Sequence, residues 1–257
     1  YKVIGKSLPS LDIPEKINGR AKYGIDSFVP NMVYGKIVPW PTRYGSIPIN
    51  VDDKEAKKIP GYVGVYVNKE DPTKVNSSYV IALAETFWSA EKAAKVIKVD
   101  WNKGPNANVS SESIREYAIS KIEDPDAGAA FVKEGNFDLS FKNAQIKHKA
   151  IYETAIGYHG MMEPMNCVAM EKAGKWHLFT ANQWQLRMTN MVANALNVEA
   201  DNVIHHQQYA GCGFGRRLEP DAAIPAALAA QFINRPVKLI FTREDDLRFN
   251  FNRTLTY

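Results

Sequence analysis

Gly211-Cys212-Gly213-Phe214-Gly215-Arg216-Arg217 lies between a segment that reads as a strand, Asn202 to Tyr209, and one that reads as a helix, Pro220 to Ile233. Three glycines alternate with Cys212 and Phe214. Glycine tolerates positive φ and lets a ligand approach the backbone closely. A loop that leads to a helix N-terminus presents free N–H groups to an anion or a polarised oxygen. The spacing is not Gly-x-Gly-x-x-Gly, because Arg216 holds the sixth position, and no Gly-Lys-Ser/Thr follows to make a P-loop. A nucleotide-binding reading therefore lacks a complete phosphate fingerprint. A bulged turn that simply needs glycine accounts for the same residues equally well.

Upstream of the loop, Gln145 to Glu153 alternates as a strand. Asn166 to Glu171 and Lys175 to Thr180 read as a hairpin around Ala173-Gly174, and Gln185 to Leu196 as a helix ended by Asn197. Downstream, Pro236 to Thr242 reads as a strand, and the chain runs on extended to Tyr257. The first part of the chain has a different rhythm. Pro9 and Pro14 argue against a helix in residues 1–16, an extended lead-in. Tyr34 to Val38, Tyr62 to Val67, Tyr79 to Ala84 and Val96 to Trp101 read as strands, with a helix over Thr86 to Ala94. Lys103 to Ser111 is polar and holds Gly104 and Pro105, and Ser111 caps an expected helix from Glu112 to about Lys121. The resulting division is a lead-in (1–16), a compact unit (17–103), a helical linker (104–144) and a second unit (145–257), α+β in class. No internal repeat is present.

The 257 residues are 45% hydrophobic and 23% charged, a globular composition large enough for real cores. No apolar run approaches the roughly 20 residues that span a bilayer, so no transmembrane helix is expected. The net charge is +4 with scattered lysines, which excludes a concentrated nucleic-acid patch. Cys167 and Cys212 are too few for a disulfide scaffold or an iron–sulfur cluster and are not in Cys-x-x-Cys spacing. The five histidines include no His-x-x-x-His pair, so a metal held by protein side chains is not expected. A metal held by an organic cofactor remains open.

Arg216 and Arg217 suit phosphates and carboxylates, or a surface salt bridge to Glu219 or Asp221. Gln183 stands at a strand end just before a helix, where it reads as a cleft-facing polar group or as a cap. Met161, Met162 and Met165 cluster with His159 around Glu163-Pro164, and a methionine-rich turn usually fills core.

Taken in order, Met162-Glu163-Pro164-Met165-Asn166, then Asn182-Gln183, then Gly211 to Glu219, then Thr242-Arg243-Glu244-Asp245-Asp246, the sequence resembles the large molybdopterin-binding subunits of the xanthine dehydrogenase and aldehyde oxidase family. Gly-Phe-Gly-Arg-Arg and Met-Glu-Pro-Met-Asn resemble the isoquinoline 1-oxidoreductase and membrane-associated aldehyde dehydrogenase branch. Gly19-Arg20-Ala21-Lys22-Tyr23-Gly24-Ile25-Asp26 is similar to the start of the small "hammerhead" α/β domain that precedes the molybdopterin domain. The resemblance runs from about Gly5 to Arg253.

The resemblance implies a hammerhead domain followed by the first part of a molybdopterin-binding α+β domain. It implies oxidation of an aldehyde or an N-heteroaromatic substrate with water as oxygen source. The cofactor would be molybdopterin, with the cytosine dinucleotide form as one version, and electrons would leave through iron–sulfur clusters in a partner. By resemblance, Gln183 hydrogen-bonds an oxygen on molybdenum, Gly211, Gly213, Phe214 and Gly215 lie against the cofactor, and Arg253 orients substrate. Cys212 replaces a usual glycine and is expected to pack rather than react. Purine oxidisers carry a glutamate where Leu218 stands, one place before Glu219, which argues against a purine. The family's general-base glutamate has no counterpart here, so no catalytic residue is assigned. Expected partners are the remainder of the large subunit or a complementary chain, an iron–sulfur subunit and a cytochrome acceptor. A chain ending at Tyr257 is expected to leave strands unpaired, hence incomplete and inactive alone. The expected location is periplasmic or membrane-associated, with the cytoplasm as the other option. The competing expectation is a binding or assembly module that keeps the fold without turnover.

Overall fold

The computed structural model describes residues 2–69, 78–124, 126–129, 131–132 and 134–251. In chain order the elements are α1 (Ile13–Ile17), β1 (Val33–Ile37), β2 (Ile47–Asp52), β3 (Tyr62–Asn68), β4 (Tyr79–Ala84), α2 (Phe87–Val96) and β5 (Lys98–Asn102). Then follow α3 (Ser111–Glu123), α4 (Phe137–Asn143), β6 (Asn166–Lys172), β7 (Lys175–Thr180), α5 (Gln185–Leu196), β8 (Val203–Gln207), α6 (Ala223–Ile233), β9 (Val237–Ile240) and α7 (Arg243–Phe249). Residues up to Asn106 and from His159 to Phe251 form one unit, and Ala107–Tyr158 form another.

The larger unit is built on one seven-stranded sheet in the order β3-β4-β1-β9-β6-β7-β8. β1 runs parallel to β9, with Val33 opposite Val237, so strands from both ends of the sequence share one sheet. The boundaries at 17–103 and 145–257 therefore do not divide this sheet. Periodicity marks strands but carries no information about which distant strands pair, and that is why the sequence reading kept them apart. One face of the sheet packs on α5 and α6 through Leu178, Trp176, Val192, Ala226 and Leu239. α2 covers the β1 and β4 part of the other face, where Val80, Ala82, Ala93 and Ala94 are buried. β2 and β5 form a separate antiparallel pair, with a register shift beside Pro48, whose ring cannot donate to a ladder.

Local chemistry explains most ends. Ala173 and Gly174 both take positive φ (54° and 76°), the geometry of a tight hairpin turn between β6 and β7. Asn197 is left-handed (φ 56°) and ends α5. The cap of α3 is Ser110, one residue before the expected Ser111, and its hydroxyl accepts the Ser113 N–H. Pro14 sits in the first turn of α1, where its missing N–H costs nothing, so the lead-in is not wholly extended. Gln145 to Glu153 forms no strand: Ile146 is 91% exposed, and the segment pairs with no strand among the described residues. The extended run expected after Thr242 is α7, started by Thr242, whose hydroxyl accepts the Asp245 N–H while the Asp245 carboxylate accepts the Thr242 N–H.

Asp245 also holds Lys36 of β1, and both side chains are buried. Lys36→Met alone is expected to cost about 3–5 kcal/mol, because it strands a buried carboxylate. Adding Asp245→Asn should recover part of that loss, since an amide can still cap α7. Chemical denaturation of the two variants checks the coupling, and equal losses would refute it.

Candidate cofactor-binding loop

After β8 the chain enters Gly211–Gly215 and then a single 3-10 turn, Arg216–Leu218, before α6. The glycines serve two different needs. Gly215 has φ 92°, but the other left-handed residues are Cys212 (71°) and Phe214 (53°), not Gly211 or Gly213. Those two glycines are needed for contact: a Cβ on Gly211 would overlap Glu163, and one on Gly213 would lie 2.5 Å from Gln183 Oε1. Cys212 is half-buried and carries a free thiol, packed against the main core as expected.

Beneath the loop sits Glu163, which the sequence shows only as the middle of a methionine-rich turn. Its Oε1 accepts N–H bonds from Ile25 (2.9 Å) and Asn166 Nδ2 (2.9 Å). Its Oε2 accepts from the Gly211 N–H (2.8 Å) and Arg217 Nη2 (2.8 Å). The same Arg217 nitrogen donates to the Glu163 carbonyl (2.7 Å), and Arg217 Nε donates to the Cys212 carbonyl (2.8 Å). Arg217 is fully buried. Burial pushes the pKa of its guanidinium down, against the pull of Glu163. Around the turn of Glu163, Met161 and Met165 are buried as expected of core, whereas Met162 is exposed.

Arg216 is equally buried and runs a second network. It donates to Asp221 (2.7 Å) and to Asp246 of α7 (3.2 Å). Arg43 grips both oxygens of Asp221 at 2.9 and 2.8 Å. Burial opposes ionisation of Asp221, yet Arg216 and Arg43 hold its carboxyl below the usual carboxylate range. The surface salt bridge expected for the arginine pair is thus a buried one, and Arg217 pairs with Glu163 rather than with Glu219 or Asp221. Glu219 pairs with Arg187 at 3.0 Å.

Gln183 reaches the loop from the end of the segment after β7. Its backbone N–H donates to the Arg217 carbonyl (3.0 Å), and its Oε1 accepts the Gly215 N–H (3.1 Å). Gln183, Gly211, Gly213, Phe214 and Gly215 are therefore brought together. Arg253 lies outside the described residues. Glu163, Asp221, Asp246 and Arg43 were not singled out as site residues. Only the run of two arginines signalled that buried acids must exist, because buried guanidinium groups need partners.

One nitrogen on each arginine, Arg216 Nη2 and Arg217 Nη1, is buried and makes no hydrogen bond among the described residues. Phe214, by contrast, is 66% exposed. Among the described residues, no group of three or more His, Cys, Asp or Glu side chains could hold a metal ion. The exposed Gln183 and Phe214, beside glycines that let Glu163 and Gln183 approach the backbone, fit a ligand laid against the loop.

A loop of this kind on an α+β sheet makes the chain a cofactor-binding domain. It belongs to the molybdopterin cofactor-binding domain family, whose model matches residues 122–257. It is 40% identical to a membrane-bound aldehyde dehydrogenase [pyrroloquinoline-quinone] of Gluconacetobacter polyoxogenes, over 98% of this chain and 33% of that protein. It is 30% identical to isoquinoline 1-oxidoreductase subunit beta of Brevundimonas diminuta, over 97% of this chain and 32% of that protein. The fold matches quinoline 2-oxidoreductase of Pseudomonas putida 86 with a TM-score of 0.76 at 18% identity, over 98% of this chain and 36% of that one. The chain spans about a third of the length of the curated relatives it matches.

Two outcomes follow from the networks. Glu163→Ala leaves Arg217 buried without its paired carboxylate and is expected to destabilise the protein by about 3–5 kcal/mol, read by denaturant unfolding. The Asp221 carboxyl has a depressed folded-state pKa, so its stabilisation is complete above the ordinary carboxylate value of about 3.9 and is lost as pH falls through the folded value. Asp221→Asn should therefore flatten the acid limb of stability against pH, and an unchanged limb would contradict this.

Proposed function

We propose that the protein carrying this chain is a molybdenum hydroxylase that oxidises an aldehyde or an N-heteroaromatic substrate with water as oxygen source. The observation that carries this reading is the Gly211–Gly215 loop, closed on Gln183 and Glu163, with the amide nitrogen of the exposed Gln183 left to donate. When bound, the molybdenum cofactor supplies a Lewis-acidic, redox-active centre. This chain supplies a surface for it. Gln183 Nε2 makes no hydrogen bond among the described residues and is the donor aimed at a cofactor oxygen, while Oε1 fixes the side chain to Gly215. Gly213 keeps the backbone bare where a methyl group would strike Gln183.

Proton transfer has to come from elsewhere. Glu163 accepts four hydrogen bonds, one of them from a buried arginine, and has no capacity to act as a base. A glutamate from the remainder of the subunit or from a complementary chain fills that role. Arg253 orients the substrate. Electrons pass to iron–sulfur clusters in a partner subunit and on to a cytochrome. The cofactor takes the cytosine dinucleotide form. The periplasm or a membrane surface is the proposed location, in line with the "membrane-bound" in one relative's name. That same name specifies pyrroloquinoline quinone, which sets up a direct test.

Protein isolated from its native source with companion polypeptides retained would be assayed for molybdenum per chain by elemental mass spectrometry. The released cofactor would be identified by chromatography. Near-stoichiometric molybdenum with a pterin supports the proposal. Quinone without molybdenum overturns it. Neither cofactor leaves the binding or assembly module as the better account. Gly213→Ala is expected to lower molybdenum occupancy about tenfold or more, the equivalent of roughly 1.4 kcal/mol of lost binding, with little change in unfolding temperature.

A further inference from the structure

A cavity of about 430 Å3 opens on the larger unit, lined by the segment that follows β1, by Trp101 of β5 and by the end of α7. Its floor is aromatic. Trp40 stacks on Phe249 with ring centroids 4.1 Å apart, and Tyr79 meets the Trp40 ring edge-on at 6.0 Å. Trp40 and Phe249 are buried, Trp101 is half-buried, and Pro39 and Pro41 complete the apolar lining. The charged residues that line the cavity are Arg43 and Arg248, and among the described residues no carboxylate lines it. Arg43 is committed to Asp221, whose two oxygens it grips at 2.9 and 2.8 Å. Arg248 is exposed and forms no ion pair among the described residues.

A larger cleft of about 680 Å3 continues along α7 and shares Pro39, Trp101 and Arg248 with the cavity. Its other cations already have partners: Asp245 holds Lys36, and Glu91 holds Lys95 at 2.9 Å. Glu244 lines that cleft but not the smaller cavity. Acid charge therefore sits away from the aromatic rings, and guanidinium charge sits beside them. Among the described residues, Arg248 is left as the lining cation without a carboxylate.

We propose that this cavity binds a flat aromatic carboxylate, with its rings against the Trp40 and Trp101 lining and its carboxylate on the Arg248 guanidinium. Small-molecule sites are typically about 300–1,000 Å3, mostly apolar, with a few placed polar groups, and this one has that size and make-up. Aromatic rings gain from offset or edge contacts with one another beyond the area they bury. A guanidinium matches a carboxylate with two parallel N–H donors. An aliphatic acid would leave the ring surface uncovered, and an uncharged arene would leave Arg248 unmatched. No residue of the Gly211–Gly215 loop lines the cavity, so the proposal stands apart from the molybdenum reading.

The experiment is isothermal titration calorimetry of the intact protein that carries this chain, with 2-naphthoate, its uncharged twin 2-naphthamide, and acetate as probes. The expected result is one equivalent of naphthoate, bound about tenfold more tightly than the amide and more tightly still than acetate. Arg248→Gln should lower naphthoate affinity about tenfold, to the level of the amide, and leave amide binding unchanged. Gly213→Ala at the cofactor loop, and Arg20→Gln at an exposed cation elsewhere, should bind naphthoate as the parent does. Circular dichroism should show all three variants folded. No naphthoate binding, equal affinity for naphthoate and either other probe, or an affinity unmoved by Arg248→Gln overturns the proposal. Loss of binding in Gly213→Ala would put the probe at the cofactor loop, and loss in Arg20→Gln would mark unspecific anion binding. Either of these overturns it too.

Discussion

Everything at the loop depends on one buried ion pair, Glu163 with Arg217. Taking both charges out of water is expensive, and their attraction offsets that cost only when the remaining hydrogen-bonding capacity is used. The carboxylate meets the condition, with two donors on each oxygen. Those donors come from four separate places: the turn at Gly24–Asp26, the start of β6, the first glycine of the loop and the arginine that ends it. A single carboxylate thus fixes where four segments meet. It also explains how Cys212 and Phe214 remain left-handed, a conformation that costs a non-glycine residue about 1–2 kcal/mol. The loop is anchored on both sides of Cys212, at the Gly211 N–H and at the Cys212 carbonyl held by Arg217, and beyond Phe214 at the Gly215 N–H, which donates to Gln183.

The second arginine solves a different problem. Arg216 has two aspartates, and Asp221 in turn has two arginines, so charge alternates through Arg43, Asp221, Arg216 and Asp246. Arg43 follows β1, and Asp246 lies in α7. The network ties the loop to residues more than 200 positions apart, Arg43 and Asp246, and the parallel pairing of β1 with β9 does the same within the sheet. Lys36 with Asp245 repeats the theme next door. Consecutive acids in α7 therefore have separate tasks: Asp245 caps its helix and neutralises Lys36, and Asp246 neutralises Arg216.

The sequence made legible those features that short-range chemistry decides. Ala173-Gly174 announces a hairpin, Asn197 a helix end, and Gly211–Gly215 an unusual backbone next to Gln183. The residues drawn from resemblance to the family fall together in space, Arg253 aside. What stayed hidden has a common physical origin. Pairing of β1 with β9, and of Glu163 with Arg217 across 54 positions, is set by packing that no local window contains. The alternation in Gln145 to Glu153 looked like a strand, but alternation is only a capacity to pair, and among the described residues it pairs with none. α7 was missed because its cap, Thr242 with Asp245, precedes an acidic run with little apolar periodicity. At the loop, glycine was read for its freedom of φ and for the close approach of a ligand. The structure uses Gly211 and Gly213 for close approach, of Gln183 and Glu163 rather than of a ligand, and puts the left-handed φ at Cys212, Phe214 and Gly215.

That division bears on chemistry as well as on shape. A group that preorganises a cofactor surface must be locked, and locking consumes hydrogen-bonding capacity. A general base must keep a lone pair available and a pKa suited to accepting a proton. Glu163 cannot satisfy both demands, since four donors already occupy its two oxygens. Gln183 is built the other way: one end of its amide is fixed on Gly215 and the other is left to donate. A neutral donor and a bare backbone can hold and orient a ligand without competing for its protons. Under the proposed function the proton-transfer role falls to a group outside this network, which gives a physical reason for cradle and base to sit on separate segments.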